Sequence, residues 1–270
     1  MRKPLKSLNP ARGMLCGYCP TMWALVASQN GILGIAACVL FSACAAPAKD
    51  EDAAGSESAV IGEMQDGPPV DLPEAVQILV NNQAQDYCTG VLVSPTRVLT
   101  AAHCTGGATF IVRAPHAPKT NGRFQESKAR KAGSVARSHN YYEEVWKEDA
   151  ATLDLDTPIR IETYPTLKDV GELGEETLRA VAVGRSAEAR NASLVKSKEL
   201  EVKSGTPLGY TTGLVSNYYS SGGDSGGPLF LVDPDTGETT HVVIGIERQP
   251  DPPSEFFTRI TPAVKSLVAR

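Results

Sequence analysis

The sequence predicts an all-β fold, a barrel or a sandwich, that ends in a short helix. The C-terminal 200 or so residues lack long helical periodicity, and short β-branched runs there alternate with Gly, Pro, Asn and Asp. A length of 270 residues with 41% apolar and 21% charged residues allows one or two globular domains with a substantial core. The formal net charge of −5 gives no basic footprint for nucleic acid, so no nucleic-acid partner is expected.

The candidate strands are short and are separated by turn residues. They cover residues 75–80, 87–93, 97–100, 109–113, 153–155, 158–161, 178–183, 228–232 and 241–246. The turn Asp233–Gly237 makes a hairpin of the last two strands. Residues 262–270, preceded by Thr261 as a possible N-cap, predict the helix. Residues 184–225 show little patterning and are expected to be rich in loops.

The first 59 residues are expected to lie outside a folded domain that spans 60–270. Basic residues between Arg2 and Arg12 precede an apolar run that ends at Cys44 and is too short for a comfortable membrane span, so residues 1–44 indicate an export signal. Phe41–Cys44 resembles a bacterial lipobox, in which Cys44 would carry a lipid anchor to a bacterial membrane. Ordinary cleavage and secretion is the alternative. Residues 45–59 are acidic and aromatic-free, which is typical of a disordered tether or pro-segment.

Four of the six cysteines lie within the first 44 residues. Cys16 and Cys19 form a C-x-x-C pair, but no second pair follows at zinc-site spacing, so no metal site is expected. Only Cys88 and Cys104 lie beyond the leader. Two cysteines in an exported domain indicate one disulfide formed in an oxidising compartment.

The segment Ser220–Phe230 holds the strongest chemical signal. Ser225 and Asp224 lie there among four glycines, and glycine in that density favours a shaped loop over a helix or strand. Such a loop can aim backbone N–H groups at an oxyanion that develops beside a reactive hydroxyl. A flexible Gly/Ser linker is the alternative, but it is disfavoured because the segment runs directly into an apolar strand.

Serine hydrolysis also requires a base that removes the hydroxyl proton. His103 is the candidate because it stands where a strand stops, next to Cys104. His116 lies among prolines, His139 lies in a polar segment and His241 opens a strand, so these three are interpreted as surface or structural histidines.

An acid must orient that base, and Asp149 is the candidate. It precedes an apolar stretch, where an aspartate can be buried against an imidazole. Asp154 and Asp156 are its rivals, but they alternate with leucines, which predicts a solvated face for them.

The chain order His103, Asp149, Ser225 agrees with one of the three known orders of this triad. Thr100–Cys104, Asp149–Leu155 and Gly223–Pro228 resemble the three signatures of the trypsin/chymotrypsin-like serine endopeptidases. The weaker similarity of the flanking strands extends the resemblance to about residues 60–270. The resemblance implies two packed six-stranded antiparallel β-barrels with a short C-terminal helix, and no cofactor.

The resemblance also implies a role for each matched residue. Ser225 would be the nucleophile, His103 the general base and then acid, and Asp149 the group that fixes the imidazole tautomer. The backbone N–H groups of Gly223 and Ser225 would form the oxyanion hole. A disulfide between Cys88 and Cys104 would stand beside the histidine.

Members of this family are activated when a new N-terminus pairs with the aspartate before the nucleophile. Val60-Ile-Gly-Glu63 resembles that N-terminus, with Glu63 in place of a second glycine. Cleavage after Ala59 would then free an ammonium at Val60 that could neutralise Asp224. The alternative is that Val60 merely opens a first strand and no processing occurs.

The presumed specificity pocket departs from the family pattern. Tyr219 stands six residues before Ser225, where trypsin-like enzymes place the aspartate that binds Lys or Arg, so a basic specificity is disfavoured and small residues are favoured. Arg248 and Pro250 lie in a segment, Gly245–Pro250, where the family has Gly-Ile-Val-Ser-Trp-Gly. Ser221 replaces a family cysteine.

Taken together, these features predict an exported serine endopeptidase, secreted or lipid-anchored, that cleaves protein or peptide substrates through an acyl-enzyme. A catalytically silent binding protein with a protease fold is the alternative. An esterase that uses the same triad is a third hypothesis.

Overall fold

A computed structural model describes residues 71–82, 87–135, 148–171, 173–185, 194–217, 220, 222–248 and 253–270, together with the backbone of 249–251. The predicted leader and tether, and with them Cys44, lie outside these residues, as do Val60 and Tyr219. α1 is short, and none of the helices in the described ranges has the length and apolar character that crossing a membrane requires.

Short β-strands make up most of the regular structure. They are β1 Ala75–Val80, β2 Tyr87–Ser94, β3 Arg97–Thr100, β4 Phe110–Ala114, β5 Gln125–Val135, β6 Ala150–Leu155, β7 Thr166–Leu167, β8 Leu178–Gly184, β9 Val195–Lys196, β10 Leu200–Ser204, β11 Gly213–Asn217, β12 Pro228–Val232, β13 Thr239–Asp251 and β14 Ser254–Arg259. The α-helix α1 covers Pro262–Val268, and 3₁₀ turns cover Ala102–Thr105 and Thr206–Leu208.

The first barrel closes in the order β1-β2-β3-β6-β5-β4, with every neighbouring pair antiparallel. Its strands alternate because one face points into the barrel: in β4, Phe110, Val112 and Ala114 are buried, while the residues between them are partly exposed. Those inward side chains pack with Val76, Leu92 and others into one apolar core.

The second barrel closes because β8 pairs with both β12 and β10. The ring runs β8-β10-β11-β14-β13-β12, again antiparallel throughout. β9 adds to β8, and β7 adds parallel to β13. The predicted pair of six-stranded antiparallel barrels is therefore confirmed.

The two barrels share a buried apolar junction. Leu99 of β3 and Ala150 of β6 belong to the same cluster as Phe230 of β12 and Ile246 of β13, and Leu267 of α1 covers it. The helix begins as predicted, since the Thr261 hydroxyl accepts the Val264 N–H at 3.3 Å. This junction fixes how the loops of one barrel meet those of the other.

The strand predictions were wrong or incomplete in several places, one of which is β14, a strand that was not predicted. Residues 158–161 form no strand; Ile159 and Ile161 are apolar because they fill the first core from a loop. β5 was missed because most of its side chains are exposed and polar. The segment 184–225, expected to be rich in loops, also carries β9, β10 and β11, which are short strands with few large apolar side chains.

Candidate active site

His103 and Asp149 meet because their two segments leave neighbouring strands. β3 pairs with β6, with Thr100 opposite Ala151, so the turn after β3 lies beside the residue before β6. The Asp149 carboxylate then contacts His103 twice: Oδ1 accepts the backbone N–H at 2.9 Å, and Oδ2 lies 2.6 Å from Nδ1. Two contacts from one carboxylate fix both the backbone and the ring of the histidine.

Asp149 is buried, with 6% of its surface exposed. Burial by itself raises the pKa of the Asp149 carboxyl, but the hydrogen bonds and charge of His103, together with the charge of Arg248, bring that pKa below its ordinary value. The Asp149 N–H donates to the Thr258 hydroxyl at 3.2 Å. The carboxylate is therefore ionised at neutral pH and is held from both barrels.

Ser225 lies in a loop that both barrels hold. Its carbonyl accepts the Thr89 N–H of β2 at 2.8 Å, and Gly226 and Gly227 exchange hydrogen bonds of 2.8 and 2.7 Å with Glu247 of β13. The Ser225 carbonyl oxygen also lies 3.6 Å from Sγ of Cys104, the residue next to His103. The loop thus places Ser225 at the segment that carries the histidine.

Two glycines of this loop are required by its geometry. Gly223 and Gly226 have φ of +103° and +83°, in the region that side chains disfavour. A Cβ on Gly226 would also collide with the Thr100 hydroxyl and the Thr89 carbonyl. The Gly223 carbonyl accepts the Thr89 hydroxyl at 2.8 Å, which ties the loop to β2 a second time.

Cys88 and Cys104 form the expected disulfide, with their Cα atoms 6.1 Å apart. The bond joins β2 to the 3₁₀ turn that carries His103. Sγ of both cysteines lies within 4.8 Å of a ring nitrogen of His103, but sulfurs in a disulfide provide no thiolate for a metal ion. This cluster is therefore a structural support for the histidine.

Comparison with known proteins identifies the family of the chain. The family model described as Trypsin matches residues 63–267. The chain belongs to the trypsin family.

Solved structures of other proteins have the same fold at low sequence identity. Mouse neuropsin, a serine protease, is 20% identical with a TM-score of 0.54, over 75% of this chain and 97% of its own. An inactivated protease paralogue of the scabies mite is 16% identical with a TM-score of 0.52, over 73% and 91%. Human heparin binding protein is 17% identical with a TM-score of 0.54, over 76% and 93%.

One buried acid beside the nucleophile loop was not predicted from the sequence. Glu255 of β14 is fully buried, and its Oε2 accepts the Ser220 N–H at 3.3 Å. The pKa of Glu255 is raised to about 7: burial is the main cause, the hydrogen bonds from Ser220 oppose it, and the charge of Asp224 adds to it. The signal in the sequence is an acid directly before two phenylalanines, in Ser254-Glu-Phe-Phe257.

Asp224 lies fully buried directly before Ser225, with its carboxylate against Gly184. Its expected partner, Val60, is outside the described residues, so the activation pairing stays a prediction. Of the two presumed pocket residues, Tyr219 is also outside them. Arg248 is buried, with its guanidinium carbon 5.4 Å from the centre of the Tyr210 ring.

The rival histidines and aspartates lie elsewhere. Nδ1 of His241 lies 2.7 Å from Oε1 of the buried Glu74, and burial lowers the pKa of His116. Asp154 pairs with Arg97 at 2.8 Å and Asp156 is exposed. His139 is outside the described residues.

Proposed function

We propose that this trypsin-family chain is an exported serine endopeptidase that hydrolyses peptide bonds of protein or peptide substrates. The observation that carries the proposal is the double contact of the buried Asp149 carboxylate with His103, on a turn that also meets the Ser225 loop. In that arrangement the Nδ1–H of His103 donates to Asp149, which leaves Nε2 as the proton acceptor.

The proposed reaction has two halves. The Ser225 hydroxyl gives its proton to His103 and attacks the carbonyl carbon, and the N–H groups of Gly223 and Ser225 receive the oxyanion. His103 then protonates the departing amine, which leaves an acyl-enzyme. In the second half, water gives a proton to His103 and attacks the carbonyl carbon of the acyl-enzyme. His103 then returns the proton to the Ser225 oxygen, which releases the carboxylic acid product.

A fluorophosphonate probe tests this proposal directly. We expect the processed protein to be labelled on Ser225 and the variant Ser225→Ala to remain unlabelled with an unchanged thermal midpoint. Comparison of ester and peptide turnover separates a peptidase from an esterase. Absence of labelling in folded, processed wild-type protein would contradict the enzymatic proposal.

The second candidate is a silent binding protein with the same fold. It is supported by the unusual Gly245–Pro250 segment and by the neighbours themselves, since one is an inactivated paralogue and another is named for binding heparin. Against it, His103, Asp149 and Ser225 are all present here. The same labelling experiment decides between the two.

The disulfide between Cys88 and Cys104 supports export, because such bonds persist in oxidising compartments. For the leader, we propose lipidation at Cys44, with simple secretion as the alternative. Metabolic labelling with a fatty acid should mark the wild-type protein but not Cys44→Ala. Unlabelled wild-type protein in the medium would support secretion instead.

Activation is proposed to follow cleavage after Ala59. The new ammonium of Val60 would reach the buried Asp224 and fix the loop that carries Ser225. Sequencing of active enzyme should then begin at Val60. Full activity in a chain that still carries residues 45–59 would refute this step.

We propose that Tyr219 and Arg248 are specificity-pocket residues that disfavour Lys or Arg at the cleaved bond and favour small side chains. Profiling with a peptide library should show cleavage after residues such as Ala. Dominant cleavage after Lys or Arg would contradict this assignment.

A further inference from the structure

Arg248 occupies an irregular position in β13 next to the nucleophile loop. The pairing with β14 passes from Glu247 opposite Phe257 to Gln249 opposite Phe256, so Arg248 is the extra residue of a β-bulge. Bulges redirect a side chain and are frequent beside active sites. The preceding residue, Glu247, holds Gly226 and Gly227 through its backbone N–H and carbonyl groups, so the bulge begins where the strand supports the Ser225 loop.

The redirected side chain enters a buried polar cluster. Arg248 is 4% exposed, and its Nε and Nη1 find no hydrogen-bond partner among the residues that the structure describes. Its guanidinium lies near the fully buried ring of Tyr210. The Tyr210 hydroxyl lies 3.0 Å from the Thr258 hydroxyl, which accepts the Asp149 N–H. A continuous set of contacts therefore leads from Arg248 to Asp149.

A buried guanidinium is costly unless a nearby anion or aromatic face compensates its charge. Tyr210 supplies the aromatic face, and the Asp149 carboxylate supplies the negative charge that Arg248 stabilises. The other charged groups that face this cluster are His103 on the 3₁₀ turn and Glu148, which accepts the Thr261 hydroxyl at 2.6 Å. Glu247 precedes Arg248 on its own strand and is also buried.

We propose that Arg248 is a positioning residue for the His103–Asp149 pair. The positive charge of Arg248 favours the carboxylate form of Asp149 and opposes protonation of the pair in mildly acidic solution. The inference rests on the proposed peptidase function and assigns Arg248 a second role besides the pocket wall. Because a guanidinium repels an imidazolium, the first proton binds to the pair less readily with Arg248 than without it.

The diagnostic measurement is the acid limb of the pH profile of kcat/KM. In Arg248→Gln we expect that limb to move to higher pH by about half a unit to one unit, because protonation of the pair becomes easier. Arg248→Lys retains the charge and should keep the wild-type limb. A merely structural role would lower kcat/KM at every pH without moving the limb.

Arg259 provides the matched control. It is also a buried arginine of the second barrel, but its guanidinium contacts the Gly171 carbonyl and Asp169. Arg259→Gln should therefore leave the acid limb in place. Arg248→Met, which retains the aliphatic bulk, replaces the glutamine variant if the latter does not fold.

Titration of the His103 imidazole by NMR, in the Ser225→Ala background, separates this inference from the proposed function. We expect Arg248→Gln to move the midpoint in the same direction as the acid limb, whether or not the protein is an enzyme. Coincident midpoints in the Ser225→Ala parent and its Arg248→Gln variant, or an equal shift in Arg248→Lys, would overturn the role. A change confined to KM for acidic substrates would assign Arg248 to specificity instead and would also overturn it.

Discussion

Removal of the Glu255 charge should alter how the stability of the protein depends on pH. Glu255 is fully buried, and its pKa is raised from the ordinary 4.5 to about 7, chiefly by burial. In the unfolded chain the same carboxyl ionises near its ordinary value. Between pH 4.5 and 7 the folded state therefore holds a proton that the unfolded state has lost, and stability falls as the pH rises through this window.

The size of the effect follows from that difference. A pKa raised from 4.5 to about 7 corresponds to roughly 3 kcal/mol of free energy of unfolding. The cost is absent below pH 4.5, where both states are protonated, and fully present above pH 7. Glutamine keeps the shape and carries no charge at any pH, and its amide oxygen can still accept the Ser220 N–H.

Urea unfolding of Glu255→Gln and its parent at several pH values between 4 and 8 measures this difference. Both proteins should carry Ser225→Ala so that self-digestion cannot interfere. We expect Glu255→Gln to gain about 3 kcal/mol relative to its parent between pH 4.5 and 8. Glu201→Gln, an exposed position on β10, is the control and should follow the parent. Parallel curves for Glu255→Gln and its parent would refute the reasoning.

Three further substitutions test the support of the site. Asp149→Asn should lower kcat by about 10⁴-fold because the imidazole takes the wrong tautomer, as steady-state kinetics on active-site-titrated enzyme would show. Cys88→Ala with Cys104→Ala should cost about 3 kcal/mol in urea unfolding, since the bond closes a loop with a sequence separation of 16. Gly226→Ala should lower the thermal midpoint through its φ of +83° and its steric clashes, whereas Gly174→Ala, with open space around it, should not.

The contact between His103 and Asp149 could be anticipated because each residue stands at the end of a strand with a recognisable local pattern. The antiparallel pairing of β3 with β6 then brings those ends together. The short strands, such as β4 with its alternating burial, allowed an all-β barrel or sandwich to be anticipated, and the resemblance to the trypsin family implied the two six-stranded barrels. β5 could not be anticipated, because a strand whose side chains mostly face solvent carries no such alternation.

The roles of Glu255 and Arg248 could not be predicted from the sequence pattern, because they depend on contacts and strand register in the folded protein. Glu255 acquires its role from Ser220, a residue 35 positions away. Arg248 could be recognised as a departure from the family segment, but its direction depends on a one-residue bulge in the pairing of β13 with β14. A shift of one residue exchanges the two faces of a strand, so the side the arginine faces follows only from the register.

The two buried acids behind Ser225 connect the proposed activation to the pH dependence of stability. The charge of Asp224 is one of the causes that raise the pKa of Glu255. An ammonium of Val60 delivered to Asp224 would neutralise that charge, and Glu255 would then ionise more readily. We therefore expect the chain that begins at Val60 to lose less stability between pH 4.5 and 7 than the chain that retains residues 45–59, in matched urea titrations of Ser225→Ala proteins. Equal pH dependence in the two chains would mean that the new N-terminus does not reach Asp224.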